Sequence, residues 1–293
     1  MTVHRVLMVL ALSGGLIVGA AAPALPGAKP PDECLGAKPT IRGTKAKDVL
    51  TGTDGDDVID AGEGNDHVTS LGGNDLVCGA DGNDTLDGGA GNDTLDGGLG
   101  ADTFLGGPDK DAVSFRDRTG PVIAEIDRDE GDDGDPTFRG GEGEGDTITP
   151  SVENVIGGRG SDSMTGDKDA NVFRGGGGID SFSGGKGDDV AKGGAAQDSL
   201  RGEEGNDQLL GGGGDMDLLS GDEGNDTLVG GAGDKDQAEG GPGSDTCDAE
   251  KEKECEQDPG PAPTPSPTPT PSPTPSPSPT VSPRSTARRS VRR

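Results

Sequence analysis

The chain has 293 residues and a formal net charge of −30, and it contains 57 glycines, five Phe, no Trp and no Tyr. Low hydrophobicity combined with high net charge is typical of chains that cannot bury a large apolar core. A charge of this sign also repels nucleic acid and anionic membranes. The composition therefore argues against both as partners and favours a cation.

Residues 1–24 have the pattern of a secretory signal peptide. A short basic start is followed by a mostly apolar segment, residues 6–18, and then by small residues suited to cleavage near Ala24. A transmembrane anchor is the alternative, but this apolar run is shorter than the roughly 20 residues that a membrane span needs. We therefore predict a secreted, extracellular protein without membrane insertion, in which residues 25–42 lead into the next segment.

A nine-residue repeat occupies residues 43–114 in eight copies. Asp recurs at every ninth position from Asp48 to Asp111, and an apolar residue follows two positions after each Asp. Glycines crowd the positions before the Asp, as in residues 88–96, which read GGAGNDTLD. The consensus is therefore G-G-x-G-x-D-x-U-x, in which U is apolar.

The same repeat returns in residues 157–248 with ten less regular units. Asn171 replaces one Asp, and two steps of ten residues end at Asp217 and Asp236. The first unit of the earlier block, residues 43–47, lacks most of the turn glycines. The two blocks are thus one motif with a few marked departures.

The spacing of the repeat has a chemical explanation. Glycines allow positive φ and a close approach of the backbone, while Asp and exposed turn carbonyls supply the hard oxygens that Ca²⁺ binds in sets of six to eight. Alternation along a short x-U-x strand turns U inward. Two units make one coil of a parallel β-roll, and stacked coils lie about 4.8 Å apart. The resulting rows of carboxylates repel one another unless a cation lies between them, and this pattern is typical of Ca²⁺-binding parallel β-helix repeats.

The two blocks resemble the RTX, or haemolysin-type, calcium-binding repeat proteins, and residues 34–79 look like the start of secreted bacterial members. The resemblance implies an all-β fold, a right-handed parallel β-roll with Ca²⁺ held between successive turns on each side. Asn171 and the turn before Asp48 depart from the motif and are not counted as ligands. The predicted metal ligands are Asp57, Asp66, Asp75, Asp84, Asp93, Asp102, Asp111, Asp162, Asp180, Asp189, Asp198, Asp207, Asp217, Asp226, Asp236 and Asp245.

The inward side chains form only one thin line of mostly small apolar groups. Eighteen U positions, at roughly 2 kcal/mol each, fall far short of the conformational entropy lost on ordering the two blocks. Metal binding is therefore expected to be coupled to folding.

Four cysteines follow the signal peptide, and an even number in an exported chain favours disulfides. Three pairings are open. The two local ones, Cys34–Cys78 and Cys247–Cys255, would fix the two ends of the repeat array. Free thiols, with Cys247 filling a core position, are the alternative.

The segment between the blocks, residues 115–156, loses the nine-residue period. Residues 121–126 could form a strand, and the acidic, glycine-rich stretch 127–146 is predicted to be a solvated loop. The alternative is a further ion site near Asp127, Asp132, Glu144 or Asp146.

After the second block, residues 249–258 form a cysteine-containing cap, and residues 259–293 form a tail rich in Pro, Ser and Thr with a basic end. Such a tail is predicted to be disordered, with an extended, polyproline II-like character. Its arginines could contact cell-wall or other extracellular polymers, or they could simply be solvated.

Catalytic patterns are missing from the sequence. One histidine, His67, follows the signal peptide, and no HExxH, GxSxG or P-loop pattern occurs. We therefore predict a protein that is not an enzyme, but a secreted Ca²⁺-binding module that folds when it binds Ca²⁺. The alternative is a surface or wall-associated adhesin in which the Pro-rich tail serves as a stalk.

Overall fold

The computed structural model describes residues 33–126, 133–134 and 144–255, and every helix or strand assigned within these ranges is a β-strand. All of them belong to one compact unit that ends at Gln257. Across the described ranges, no helix is long and apolar enough to cross a membrane. The predicted signal peptide and the Pro-rich tail lie outside the described residues.

Twenty-three short strands occur in the described part of the chain. In chain order they are β1 (Ile41–Arg42), β2 (Val49–Thr51), β3 (Val58–Asp60), β4 (His67–Thr69), β5 (Leu76–Asp81), β6 (Thr85–Asp87), β7 (Thr94–Leu99), β8 (Thr103–Leu105), β9 (Ala112–Ser114), β10 (Ile123–Glu125), β11 (Thr147–Ile148), β12 (Asn154–Ile156), β13 (Ser163–Thr165), β14 (Val172–Gly177), β15 (Ser181–Lys186), β16 (Val190–Ala195), β17 (Ser199–Glu204), β18 (Gln208–Gly213), β19 (Leu218–Glu223), β20 (Thr227–Ala232), β21 (Gln237–Glu239), β22 (Thr246–Asp248) and β23 (Lys251–Lys253).

The strands form two walls of a solenoid. One wall is a single eleven-stranded sheet, β1-β3-β5-β7-β9-β12-β14-β16-β18-β20-β22, which runs through both repeat blocks. The other wall consists of a five-stranded sheet, β2-β4-β6-β8-β11, and a seven-stranded sheet, β10-β13-β15-β17-β19-β21-β23. Paired strands are parallel and eighteen residues apart in the regular part, as Val77 and Leu95 are. The prediction of an all-β, parallel roll with two units per coil is confirmed.

The U side chains form the core, as the alternation of the strands requires. Leu86, Leu95, Phe104 and Val113 are completely buried, one in each successive strand from β6 to β9. Ala191 is also completely buried in its strand of the second block. The core is therefore a single column of side chains between the walls, and small residues are accommodated in it.

This column continues through the segment between the blocks. Phe115, Val122, Ile148 and Val155 are buried in the same cluster as the repeat side chains. The ring of Phe115 contacts that of Phe104 edge-on, with centroids 6.3 Å apart. The two blocks are consequently parts of one solenoid.

The acidic stretch is folded into the interrupted wall. Asp133 and Gly134 pair antiparallel with Asp146 and Ile123, and so connect β11 to β10. The Asp133 carboxylate accepts hydrogen bonds from the backbone N–H of Glu125 and of Ile148, at 2.6 and 2.9 Å. Three segments thus lie between β8 and β13, where a regular coil would contribute one strand.

The prediction of a solvated acidic loop is therefore wrong for its described residues. Asp133, Glu144 and Asp146 are all buried, because their backbone and side chains complete the wall between the two blocks. The predicted strand in residues 121–126 is confirmed as β10. Asp127 and Asp132 lie outside the described residues.

Both ends of the solenoid carry a disulfide. Cys34 is bonded to Cys78 in β5, and Cys247 in β22 is bonded to Cys255. The two local pairings are therefore confirmed, and the alternative of free thiols is wrong. The first bond encloses the larger loop, with a sequence separation of 44 residues against 8 for the second.

Candidate metal centre

Most repeat aspartates accept a hydrogen bond, through one carboxylate oxygen, from the backbone N–H of the Asp one coil away. The backbone N–H of Asp75 donates to Oδ1 of Asp93 at 2.8 Å, and that of Asp93 donates to Oδ1 of Asp111 at 2.8 Å. On the other wall, the backbone N–H of Asp84 donates to Oδ1 of Asp102 at 2.8 Å. These aspartates are therefore fixed in rows, with one oxygen of each carboxylate committed to the neighbouring turn.

The second carboxylate oxygen, Oδ2, has a different environment. In fourteen of the sixteen predicted ligands it is buried and has no hydrogen-bond partner. A buried charged oxygen without a partner costs free energy, and a native structure normally satisfies it with a donor, a water or an ion. These fourteen are Asp66, Asp75, Asp84, Asp93, Asp102, Asp111, Asp180, Asp189, Asp198, Asp207, Asp217, Asp226, Asp236 and Asp245.

Two predicted ligands differ from the other fourteen. Oδ2 of Asp57 accepts hydrogen bonds from the backbone N–H and the hydroxyl of Thr53, at 2.8 and 2.9 Å. Oδ2 of Asp162 accepts one from the backbone N–H of Gly158 at 2.8 Å. Their turns satisfy the carboxylate internally, so these two aspartates have the weaker structural support as ligands.

Asp48 and Asn171, which were not counted as ligands, also have a side-chain oxygen that accepts a hydrogen bond within their own turn. Oδ2 of Asp48 accepts from the backbone N–H of Thr44 at 2.6 Å. Oδ1 of Asn171 accepts from the backbone N–H of Asp167 at 3.0 Å, while its buried Nδ2 has no partner. An amide nitrogen is a donor and offers nothing to a cation, so Asn171 interrupts its row.

The first glycine of the repeat makes room for the carboxylate. A Cβ added to Gly88 would lie 2.6 Å from Oδ2 of Asp93 and 2.8 Å from the carbonyl oxygen of Gly106 in the next coil. The same arrangement recurs at Gly202, where the added Cβ would lie 2.1 Å from Oδ2 of Asp207. Carboxylate and carbonyl oxygens thus face one small space beside each such glycine.

The second glycine has a conformational role. Gly89 has φ of +85°, and a Cβ added to it would lie 2.2 Å from the carbonyl oxygen of Leu71 in the preceding coil. Positive φ and this close contact are both tolerated without a side chain. The turns therefore stack closely enough for oxygens of successive coils to surround an ion.

The oxygens at these positions are chemically suited to Ca²⁺. They are carboxylate and carbonyl oxygens, the hard donors that this ion prefers. Within residues 33–126, 133–134 and 144–255, no group of three or more His, Cys, Asp or Glu side chains is placed to hold a metal ion together. The arrangement instead combines one Asp oxygen per turn with backbone carbonyls.

Burial makes the negative charges unfavourable in the absence of a cation. It raises the pKa of Asp93 to about 6 and the pKa values of Asp102 and Asp111 to about 7. Neighbouring carboxylates of the same row raise these pKa values further, and the hydrogen bond from the adjacent Asp N–H opposes the rise. A divalent cation beside Oδ2 would favour the ionised form.

Three carboxylates outside the set of predicted ligands continue the rows, and Asp146 is one of the residues named for the alternative ion site. Oδ1 of Asp146 accepts from the N–H of Asp102 at 2.8 Å, and Oδ2 of Asp146 is buried without a partner. Glu153 and Glu250 accept from the N–H groups of Asp111 and Asp236, each at 2.8 Å. All three end a stretch of regular stacking.

A sequence signal for Asp146 exists. Residues 140–148 read GGEGEGDTI, which is the repeat with one residue inserted before the Asp, as in the turns that precede Asp217 and Asp236. The glutamates have no such signal, because the residues before Glu153, Thr149 to Val152, contain no glycine.

Comparison with known families agrees with this geometry. The model of the RTX calcium-binding nonapeptide repeat matches residues 42–77, 79–113, 149–182, 183–215 and 212–247, which together make up more than half of the chain. The matched segments leave out residues 114–148, where the structure departs from the regular coil. No curated protein gives a match to the chain. The resemblance inferred from the repeats is thus confirmed, and the chain belongs to the family of RTX calcium-binding nonapeptide repeat proteins.

Proposed function

We propose that this protein is a secreted Ca²⁺-binding module in which ions between stacked turns complete the roll. The observation that carries the proposal is the series of buried Asp oxygens without partners, which repeats coil after coil on both walls. An ion beside such an oxygen removes the cost of a buried, unpaired charge. Carbonyl oxygens of the neighbouring turn, such as that of Gly106 beside Asp93, supply further ligands.

Folding of the roll depends on these ions in the proposed mechanism. The core is a single column of side chains, so apolar burial alone provides little to offset the ordering of the chain. The rows of carboxylates add repulsion at each coil. Ca²⁺ replaces this repulsion by attraction between the ion and the carboxylates. The free energy of Ca²⁺ binding therefore contributes directly to the free energy of folding.

A Ca²⁺ titration followed by circular dichroism tests the proposal. We expect little strand signal in chelator and a cooperative gain at roughly 10⁻⁴–10⁻³ M Ca²⁺, the range of extracellular modules. The same concentration of Mg²⁺ is the control and should not substitute, because Mg²⁺ demands stricter geometry and dehydrates reluctantly. Equal strand content in chelator and in Ca²⁺ would contradict coupled folding. Calorimetry that finds only one or two ions would contradict the repeated sites.

Secretion follows from the predicted signal peptide in residues 1–24 and is consistent with the two disulfides. A chain that folds only in this Ca²⁺ range remains unfolded in the cytosol and becomes structured after export. Immunoblotting of culture medium, wall and cytosol fractions tests this, and a mature protein confined to the cytosol would contradict it.

A surface-attached interaction protein is the second candidate, and one outer face favours it. The outward side chains of β14, β16, β18 and β20 include no carboxylate, although the chain as a whole is strongly acidic. Their apolar and basic members are Val172, Arg174, Val190, Lys192, Leu210 and Val229.

Fractionation distinguishes the two candidates. A protein recovered mainly with the wall, and released from it by Leu210→Glu but not by the matched outward change Leu218→Glu on the opposite wall, would favour adhesion. A protein recovered in the medium would favour the freely secreted module.

A further inference from the structure

One level of the solenoid contains a cation supplied by the chain itself. Arg118 lies in the segment that leads from β9 to β10, and its guanidinium donates to the carbonyl oxygen of Gly98 and to Oε2 of Glu144, the latter at 2.8 Å. The Arg118 side chain is only 16% exposed and that of Glu144 is 0% exposed. The pair is thus a buried ion pair inside the fold.

The two partners of Arg118 belong to successive turns of one row. Gly98 is in the turn that precedes Asp102, and Glu144 is in the turn that precedes Asp146. The two turns are stacked directly, because the N–H of Asp102 donates to Oδ1 of Asp146. The guanidinium therefore spans the same interval between turns that separates neighbouring aspartates elsewhere in the rows.

The carbonyl that Arg118 contacts has equivalents in the regular turns. In the preceding coil the corresponding carbonyl is that of Ala80, and it points towards the next turn: a Cβ added to Gly98 would lie 1.8 Å from it. Gly98 occupies the same place one coil later, and there its carbonyl oxygen is taken by the guanidinium. An oxygen that faces the space between turns is therefore already bound at this level.

Charge at this level also favours the guanidinium. Three buried carboxylates, Asp102, Glu144 and Asp146, converge on the junction between the blocks. Arginine stays protonated, donates only, and suits carboxylate and carbonyl acceptors. A Ca²⁺ ion placed beside it would be repelled by a like charge in a poorly solvated site.

We propose that the guanidinium of Arg118 takes the place of a bound ion between the turns of Asp102 and Asp146. This proposal rests on the proposed function, since it assumes that ions occupy the other intervals. The junction between the two blocks is then held by the chain's own charge, while the regular coils on each side require Ca²⁺.

Crystals of the unmodified full-length protein grown with Tb³⁺ in place of Ca²⁺ provide the direct test. Anomalous difference maps should contain peaks between regular turns, such as those of Asp84 and Asp102, and no peak between the turns of Asp102 and Asp146. A peak within coordination distance of the Gly98 carbonyl oxygen would overturn the inference. Absence of peaks at all turns would instead contradict the proposed function.

A matched pair of variants tests the same point in solution. Arg118→Gln removes the buried charge, and we expect equilibrium dialysis against ⁴⁵Ca²⁺ to measure one additional bound ion per chain. Arg116→Gln is the control, because Arg116 lies two residues away with a side chain that is 44% exposed. Equal ion counts in the two variants would overturn the inference. If Arg118→Gln fails to fold, the Tb³⁺ maps decide, since they use the unmodified chain.

Discussion

The two oxygens of each repeat carboxylate have separate roles. Oδ1 of Asp93 is tied to the N–H of Asp75, while Oδ2 of Asp93 is buried without a partner beside Gly88. The first contact positions the side chain, and the second leaves a charged oxygen available to a cation. Asn92, directly before it, is exposed and belongs to another ladder, in which its Nδ2 donates to Oδ1 of Asn74 at 3.1 Å.

We predict that Asp93→Ala raises the Ca²⁺ concentration at the midpoint of folding by roughly tenfold. The change removes one charged ligand and a hydrogen bond to a charged group, which together contribute on the order of 1.5–3 kcal/mol. Asn92→Ala is the control and should shift the midpoint much less, because water can replace its exposed hydrogen bonds. Circular dichroism during Ca²⁺ titration measures both. Equal shifts would mean that the Asp rows are not the ligand set.

Glycine positions within the turn are predicted to differ in their tolerance to alanine. Gly88→Ala should raise the Ca²⁺ midpoint, because its Cβ would collide with Oδ2 of Asp93 and with the Gly106 carbonyl. Gly72→Ala is the matched control: its Cβ would have no neighbour nearer than 3.7 Å. The same titration compares the two variants. A midpoint that moves as much in Gly72→Ala as in Gly88→Ala would refute a specific role for the first glycine.

Individual strands contribute stability through single core side chains. Each x-U-x unit turns one apolar side chain inward, and in β7 that side chain is Leu95, which is completely buried. Because the core is one side chain thick, the neighbours that could fill a cavity at this position are few. The contribution of apolar burial to the free energy of unfolding can therefore be measured by substituting one core side chain in one strand.

We predict that Leu95→Ala lowers the free energy of unfolding of the Ca²⁺-saturated protein by roughly 2–5 kcal/mol. Urea denaturation at saturating Ca²⁺ measures this. Thr94→Ala, one position earlier and on the outer side of the same strand, should change the free energy of unfolding far less. The number of bound ions should remain the same in both variants. A loss of ions in Leu95→Ala at saturating Ca²⁺ would argue against separate contributions from core and metal.

The sequence predicted the regular elements well because one constraint repeats in them. Asp and the apolar residue two positions later fix both the turn and the inward direction of every x-U-x strand. In the second block several strands are longer than predicted, since the glycines that follow also pair, as Gly176 does with Gly194. The period did not predict that these glycines would extend the sheet.

The segment between the two blocks was harder to predict, because its structure depends on contacts between residues far apart in the sequence. Asp146 is stacked on Asp102, 44 residues earlier in the chain, rather than on a neighbour 18 residues away. The buried contacts of Asp133 and Arg118 likewise depend on how three separate segments meet. Local periodicity carries no information about such contacts, so an acidic, glycine-rich stretch was interpreted as solvated.

At the scale of the whole molecule, the rows of aspartates with raised pKa values predict that the stability of the folded form depends on pH. Burial raises the pKa values of Asp102, Asp111, Asp180 and Asp189 to about 7, above those of the unfolded chain. Without Ca²⁺, the folded form then binds more protons than the unfolded form between about pH 4 and pH 7. Its stability therefore falls as pH rises through this window.

With Ca²⁺ present, protons compete with the ion for the same carboxylates of the folded form, but protons and Ca²⁺ both stabilise that form relative to the unfolded chain. We predict that the Ca²⁺ concentration at the midpoint of folding falls as pH falls from 7.5 to about 5.5, and that the Ca²⁺-free protein gains strand content as pH falls from about 7 to about 4.5. Circular dichroism of chelator-treated, dialysed protein at each pH measures both trends. A midpoint independent of pH would contradict the raised pKa values in the rows.

The insertion at the junction has a consequence for how the chain avoids slippage. Coils of this solenoid are so alike that a shift by one whole coil would still place Asp against Asp and U against U, and many misalignments would be nearly degenerate. The three segments between β8 and β13 fit in one alignment only, because Asp133 must meet both Glu125 and Ile148. The least regular part of the chain thus removes the ambiguity that the repeat creates. It sets one register for coils that could otherwise pair in several equivalent ways.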